Sequence, residues 1–349
     1  MDADHDWVSD TAADTISISG LGRRFGDVVA LSDLELRAPD QAVTVLLGPN
    51  GAGKTTAIRM ITGALAADAG SIKVFGLDPA EHGEEIRRRC GVVAAKPALY
   101  DRLSGYHNLL YAAELYDIPR RLQDARIREA ANRFGIADAL DQQVGGYSTG
   151  MKTRLALARS VQHEPDLLLL DEPTSGLDPE SSHAVLALIG ELTHSGKTVV
   201  LCTHLLLEAE GVADHVVVMD AGTDLVDGTP DGLARRFWPD AVVRVEVENP
   251  GDATQIWSVP GVLAVDESER GGDVTVDDFR RVPDLVAALV TRGVRVTRVE
   301  PRVPSLEDLY FSIRKQKGVT APPARPRPTP AESSAEPIGG TLVTERTQT

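Results

Sequence analysis

The run Gly48-Pro49-Asn50-Gly51-Ala52-Gly53-Lys54-Thr55-Thr56 combines the residue types that hold polyphosphates. Gly48, Gly51 and Gly53 let backbone N–H groups turn inward around phosphate oxygens. Lys54 adds a point charge for the β- and γ-phosphates, and Thr55 offers a hydroxyl to a magnesium ion. A second run, Leu167-Leu168-Leu169-Leu170-Asp171-Glu172, ends an apolar stretch in two adjacent carboxylates. Asp171 is placed to hold the metal ion through water, in the usual manner of that ion. Glu172 is placed to orient and deprotonate an attacking water, a role worth ~10²–10⁴ in rate. Alone, the same run reads equally well as a strand ending in a solvated acidic turn. Its company with the phosphate loop favours the site. A third run, Tyr147-Ser148-Thr149-Gly150-Met151-Lys152, opens a helical pattern over Thr153–Val161 that His163-Glu164-Pro165 ends. Ser148 is a good N-cap, and a helix start with small residues can turn its N–H groups to a phosphate.

These residues need rigid elements behind them. Apolar runs at Val43–Leu47, Leu167–Leu170, Thr198–Leu201 and Val216–Met219 are bounded by Gly, Asp, Pro or His. They predict strands buried on both faces, the habit of an α/β core whose sites form at strand C-terminal ends. The stretch from about 76 to 162 lacks such runs and is rich in Arg, Ala, Leu and Glu, which predicts a helical insertion. Beyond it, Val243, Val245 and Val247 alternate with Arg244, Glu246 and Glu248. Strands at Val262–Asp266, Val274–Asp277 and Val294–Val299, with a helix at Val282–Arg292, complete a split-βαβ pattern turning at Arg270-Gly271-Gly272. A last amphipathic helix, Ser305–Arg314, is expected to close that small sheet. Five Asp in residues 1–14 and six Pro in residues 321–337 predict disordered arms.

Composition excludes several classes. The 36 Lys and Arg against 52 Asp and Glu give a net charge of −16, which disfavours nucleic acid. The densest basic run, Arg87-Arg88-Arg89, is preceded by Glu84 and Glu85. With 42% hydrophobic residues a real core is affordable, and two cysteines, Cys90 and Cys202, imply no disulfide framework. The acidic N-terminus is unlike a secretory signal, and no apolar run approaches the ~18 residues that span a bilayer, so a cytosolic protein is expected.

In their order and spacing these motifs resemble the ATP-binding subunits of ABC transporters over about residues 15–235. The resemblance implies a P-loop α/β fold, the ABC-type nucleotide-binding domain with its inserted helical subdomain, followed by a small α+β C-terminal domain. The implied organisation is an arm at 1–14, the nucleotide domain at 15–235 with the insertion at about 76–162, the small domain at 241–314 and the tail at 315–349. ATP and Mg²⁺ are the implied cofactors. Ser148 and Gly150 match the family signature, although Tyr147 and Thr149 depart from its commonest form. Ser175-Gly176-Leu177-Asp178 matches the D-loop, with Asp178 beside the nucleotide. His204 matches the switch histidine that contacts the γ-phosphate and steadies Glu172; alone it reads as an ordinary histidine. Phe25 sits where the family stacks an aromatic on adenine; alone it reads as packing. Ala95 stands where the family usually has Gln, and a methyl group can neither touch the metal nor report its state.

The region 241–313, with Pro304-Ser305-Leu306-Glu307-Asp308-Leu309-Tyr310 near its end, resembles bacterial drug-exporter ATPases of the daunorubicin-resistance type. That branch works with ABC-2-type permeases on separate chains. The resemblance implies a homodimer of nucleotide domains at the cytoplasmic side of the cell membrane, with no nucleic-acid partner. The region itself reads as a dimer-stabilising appendage or as a regulatory pocket. Translation-factor ATPases of this family carry two nucleotide cores on one chain, and chromosome-maintenance ATPases need a long coiled coil between Lys54 and Ser148, where only 93 residues lie. A nucleotide sensor without transport is the remaining alternative.

Overall fold

The computed structural model describes residues 14–238 and 241–319. The expected acidic arm and proline-rich tail lie outside the described residues, apart from Asp14 and residues 315–319. Asp14 opens a strand instead. Strands β1 (Asp14–Phe25) and β2 (Val28–Pro39) form an antiparallel pair. Strand β3 (Val43–Leu47) leads through the glycine loop into helix α1 (Lys54–Ile61), and β4 (Ala69–Val74) returns to pair with β1. The sheet β2-β1-β4 was not legible in the sequence, because Ser, Arg and Glu interleave its apolar positions and its registers are interrupted by bulges.

Helix α2 (Pro79–Arg88) and strand β5 (Cys90–Val93) follow. Strand β5 corrects the expected helical insertion over 76–162: it joins the main sheet, parallel to the strand at Leu167. Only four residues long and holding a glycine, it carries too little pattern to be seen in sequence. The glycine is required there, since a Cβ on Gly91 would lie 2.2 Å from the Ser160 carbonyl oxygen. Helices α3 (Gly105–Leu115), α4 (Arg120–Arg133) and α5 (Thr149–Val161) then pack on one another through Leu109, Ile127, Phe134 and Leu155. Ser104 and Ser148 cap the first and last of these by accepting from the His107 and Met151 N–H groups.

Strand β6 (Leu167–Asp171), helix α6 (Pro179–His194), strand β7 (Thr198–Thr203), the short helix α7 (Leu206–Glu210), strands β8 (His215–Asp220) and β9 (Thr223–Gly228), and helix α8 (Pro230–Phe237) complete the cassette. The main sheet runs β5-β6-β7-β3-β8-β9, parallel except for the last pair. Its strands alternate between two cores, as a period of two demands. Leu168 and Leu170 face the helices of the insertion, while Leu167 and Leu169 face α1 and the antiparallel sheet. Each fully buried leucine contributes about 1.5–3 kcal/mol, so this sheet has little freedom to slip.

The small sheet has strands β10 (Ala241–Val247), β11 (Val262–Ser268), β12 (Gly271–Val276) and β13 (Val296–Pro301), with helix α9 (Val282–Thr291) across one face. Its antiparallel order β11-β12-β10-β13 is the split-βαβ arrangement, and its hairpin turns at Glu269-Arg270 with both glycines inside β12. Helix α10 (Leu306–Gln316) does not close this sheet, as the sequence led one to expect. Its stripe of Leu306, Leu309 and Ile313 is buried in the cassette core with Leu233 and Phe237. The Ser312 hydroxyl also donates to the Phe237 carbonyl at 2.8 Å. No helix among the described residues is long and apolar enough to cross a membrane.

One buried histidine makes the fold pH-sensitive. His163 stacks on Tyr116 with ring centroids 3.7 Å apart, and its Nε2 lies 3.1 Å from the Cys90 carbonyl oxygen. Nε2 therefore carries the proton, and Nδ1 is buried with no hydrogen-bond partner. Burial pushes the imidazole down from 6.5 to about 4. Between those values the unfolded chain binds a proton that the folded chain refuses, so stability falls with decreasing pH. The melting temperature should drop on going from pH 7 to 4.5, and His163→Phe, which keeps the stacking, should flatten that part of the profile. An unchanged slope in circular-dichroism melts of the variant would show that another group is responsible.

Candidate functional site

Three neighbouring strands deliver the site from their C-terminal ends. Strand β7 lies between β3 and β6, with Leu47 paired to Thr203 and Asp171 paired to Cys202. The phosphate loop, Glu172 and His204 therefore leave the sheet side by side, where ligands bind in parallel sheets.

The loop is shaped by close backbone approach. A Cβ on Gly48 would meet the Met219 carbonyl oxygen at 2.3 Å, and Gly51 and Gly53 have φ of 87° and 103°. Gly53 caps α1, whose first residues are Lys54, Thr55 and Thr56. The turn after β8 cradles the loop, with the Gly222 N–H donating to the Ala52 carbonyl at 3.1 Å. Lys54 Nζ donates to the carbonyls of Gly48 and Pro49 at 2.6 and 3.2 Å. Burial lowers the pKa of its ammonium, and the negative charges of Glu172 and Asp171 oppose that shift. Pro49 and Asn50 line the outer mouth of the loop.

The Thr55 hydroxyl donates to Asp171 Oδ2 at 2.7 Å. Burial raises the pKa of the Asp171 carboxyl, and the Thr55 hydrogen bond opposes this. A hydroxyl and a carboxylate touching at the edge of a phosphate loop are hard oxygen donors that suit Mg²⁺. Among the described residues no cluster of three or more His, Cys, Asp or Glu could hold a metal. The Thr55 hydroxyl and Asp171 carboxylate fit an ion that takes few protein ligands and shares its shell with water and phosphates.

Glu172 follows with φ of 50°, a left-handed conformation that costs about 1–2 kcal/mol, and its N–H donates to the Cys202 carbonyl at 2.9 Å. This turns its side chain toward His204, whose Nδ1 lies 3.0 Å from Glu172 Oε1. Thr203 shapes the histidine's turn, its hydroxyl oxygen accepting from the Leu205 N–H at 2.9 Å. Nothing in the local sequence singles out that hydroxyl. The arrangement can hold a polyphosphate, place a carboxylate beside a water, and steady that carboxylate with an imidazole.

The remaining predicted residues lie around this centre. Phe25 ends β1 with 45% of its surface exposed, and the Arg23 guanidinium sits 5.0 Å from its ring centre. Ser148 and Gly150 form the exposed start of α5, where Gly150 faces Ser181 of α6. Asp178 caps α6, accepting from the Ser181 N–H and hydroxyl at 2.9 and 2.7 Å. Those two bonds hold its carboxyl below the usual range. Ala95 follows β5 and lines a cavity of about 100 Å³ with Glu172, Ser175, Thr149 and Lys152. Ala95 and Glu172 thus border the same cavity. Tyr310 of α10, which no neighbouring residue places here, shares a cleft with the phosphate loop and His204.

Comparison with known proteins agrees with this geometry. A family model described as ABC transporter matches residues 31–175. The chain is 37% identical over 308 residues to the daunorubicin resistance ATP-binding protein DrrA3 of Streptomyces coeruleorubidus, covering 88% of this chain and 96% of that protein. It is 32% identical to Nod factor export ATP-binding protein I of Rhizobium etli, covering 85% and 92%. A solved ATP-binding subunit of an ABC transporter superposes with a TM-score of 0.59 at 29% identity, covering 64% of this chain and 93% of that one. Phosphate loop, paired carboxylates and His204 at the C-terminal ends of neighbouring strands, with likeness spanning almost the whole length of such relatives, place this chain among the ATP-binding proteins of ABC transporters, which bind and hydrolyse ATP.

Proposed function

We propose that this chain is the ATPase subunit of an ABC-2-type exporter, driving efflux of a drug-like, lipid or polysaccharide substrate through a permease on a separate chain. One observation carries the reading. The likeness to a daunorubicin resistance ATP-binding protein covers 88% of the chain and so takes in the small sheet beyond the cassette. The likeness to a Nod factor export protein supports the direction of transport. The chain would work as a homodimer at the cytoplasmic face of the membrane, where its permease holds it.

In this reading the backbone of Gly48–Thr56 and the Lys54 ammonium bind the phosphates, and Phe25 stacks on adenine. Thr55 and Asp171 would hold Mg²⁺, which neutralises phosphate charge when bound. Ser148 and Gly150 of the second copy cover the γ-phosphate, with Asp178 at the same interface, in a twofold arrangement. Glu172 takes the proton of the attacking water, and His204 keeps Glu172 and that water in line. ATP favours the closed dimer by its differential affinity for that state. Phosphate release removes the preference and lets the pair open.

Glu172→Gln should cut phosphate release by about 10²–10⁴-fold while nucleotide binding survives. A wild-type chain that binds ATP yet releases no more phosphate than this variant is a nucleotide sensor, the reading that Ala95 favours. Recovery of the chain with a polytopic permease from detergent-solubilised membranes separates a transporter subunit from a free ATPase.

Position 95 gives a second test. With alanine there, metal binding leans on Thr55 and Asp171. Ala95→Gln should lower the Mg²⁺ concentration for half-maximal turnover by about three- to tenfold, the worth of one added hydrogen bond. Identical magnesium titrations and identical rates in the two proteins would remove that account.

A further inference from the structure

Helix α10 is pinned on both sides of Tyr310. Leu306, Leu309 and Ile313 are buried in the cassette core, and Gln316 Nε2 donates to the Phe237 carbonyl at 3.3 Å. Arg314 lies 3.2 Å from Asp220, with side chains only 11% and 18% exposed. It also donates to the Tyr310 hydroxyl at 3.1 Å and sits 5.4 Å from that ring's centre. Asp220 ends β8, one residue after the Met219 carbonyl against which Gly48 is packed. The helix is thus tied to the strand that backs the phosphate loop. From this position Tyr310 lines a cleft of about 310 Å³ together with Pro49, Asn50, His204 and Leu206.

We propose that Tyr310 is a positioning residue for the hydrolytic site: its ring props the His204–Leu206 turn against the phosphate loop of the same chain. The proposal rests on the reading of His204 as the residue that steadies Glu172. That turn joins the last residue of β7 to a helix of five residues, with the Leu205 N–H donating to the Thr203 hydroxyl and His204 Nδ1 set 3.0 Å from Glu172 Oε1. The ring of Tyr310 lines the cleft that this turn shares with Pro49 and Asn50.

The same helix ties the small sheet to the nucleotide site. Arg302 pairs with Asp273 of β12 and with Asp308, which forms the capping box of α10 with Ser305. Asp308 stands two residues before Tyr310. A displacement of the small sheet is therefore delivered to the histidine turn in cis, which gives the sheet a means of setting the hydrolysis rate. Both earlier readings of the region, dimer appendage and ligand pocket, lack such a path to chemistry.

The test uses the full-length chain, with steady-state ATPase kinetics and direct binding of a fluorescent ATP analogue. Tyr310→Ala should lower kcat by about ten- to hundredfold, the cost of misplacing a catalytic group by about 1 Å. The KM for ATP and the affinity for the analogue should stay within about twofold, because only an interaction of the hydrolytic step has been removed. Tyr310→Phe, which keeps the ring, should restore most of kcat. Should Tyr310→Ala not fold, Arg314→Met, which removes the tie to Asp220 and keeps an apolar stem, should show the same fall in kcat at constant affinity. Wild-type kcat in these variants, parallel losses of kcat and affinity, or failure of Tyr310→Phe to rescue would overturn the proposal. His204→Ala separates the two layers. If it leaves turnover unchanged, the histidine reading fails and takes the prop with it. If it is defective while Tyr310→Ala is not, the prop alone fails.

Discussion

The in-register parallel pairing of β6, β7 and β3 is the constraint on which the site depends. Leu47 is set opposite Thr203, and Asp171 opposite Cys202, by backbone hydrogen bonds of the sheet. Because the strands are buried on both faces, a slip of one residue would exchange the two cores of every strand. Leu168 and Leu170 would then face the side that Leu167 and Leu169 fill, and two sets of packing contacts would be lost together. The apolar strands thus act as a ruler for polar groups they never touch. The four-leucine run has no chemistry, yet it fixes where Asp171 and Glu172 emerge.

What could be read from sequence follows the same division. The Gly48–Thr56 loop, the carboxylates after Leu170 and the strands at Val43, Leu167, Thr198 and Val216 were legible because each is specified by adjacent residues. The α/β cassette and the split-βαβ order of the small sheet followed from local periodicity. Strand β5 was missed because Cys90–Val93 owes its state to β6 and to the Ser160 carbonyl, not to its own four residues. The β2-β1-β4 sheet was missed because bulges break the alternation that would have announced it. Helix α10 was recognised as a helix but assigned to the wrong partner. An amphipathic stripe declares that something will cover it, not what. Leu306, Leu309 and Ile313 fit an apolar surface built from α8 and β9, and nothing near them in sequence points there.

That partner choice changes the reading of the C-terminal region. A helix folded back onto its own sheet would leave the small unit as an independent appendage. A helix inserted in the cassette core makes the two units share packing, so strain in one is felt in the other. The ion pairs of Arg302 and Arg314 lie at opposite ends of this helix, one reaching the small sheet and the other the strand behind the phosphate loop. These pairs are largely buried on the carboxylate side, so the intact pairs add little net stability while loss of one partner would leave a buried charge uncompensated. Their value lies in register: they fix the rotation of the helix that decides where Tyr310 points.

The charges at the heart of the site explain why metal and nucleotide should act together. Burial works against the ionised form of both Lys54 and Asp171, lowering the one and raising the other. Each is compensated within the chain, Lys54 by two carbonyls and Asp171 by the Thr55 hydroxyl. A phosphate oxygen must compete with those carbonyls for the ammonium. A polyphosphate without a cation adds negative charge within reach of Asp171 and Glu172, while a cation without phosphate adds positive charge near Lys54. Each partial ligand therefore meets a like charge that the other partly offsets. Under the proposed reading, cooperative binding of Mg²⁺ and ATP is the expectation from one lysine and two carboxylates placed at the end of an apolar sheet.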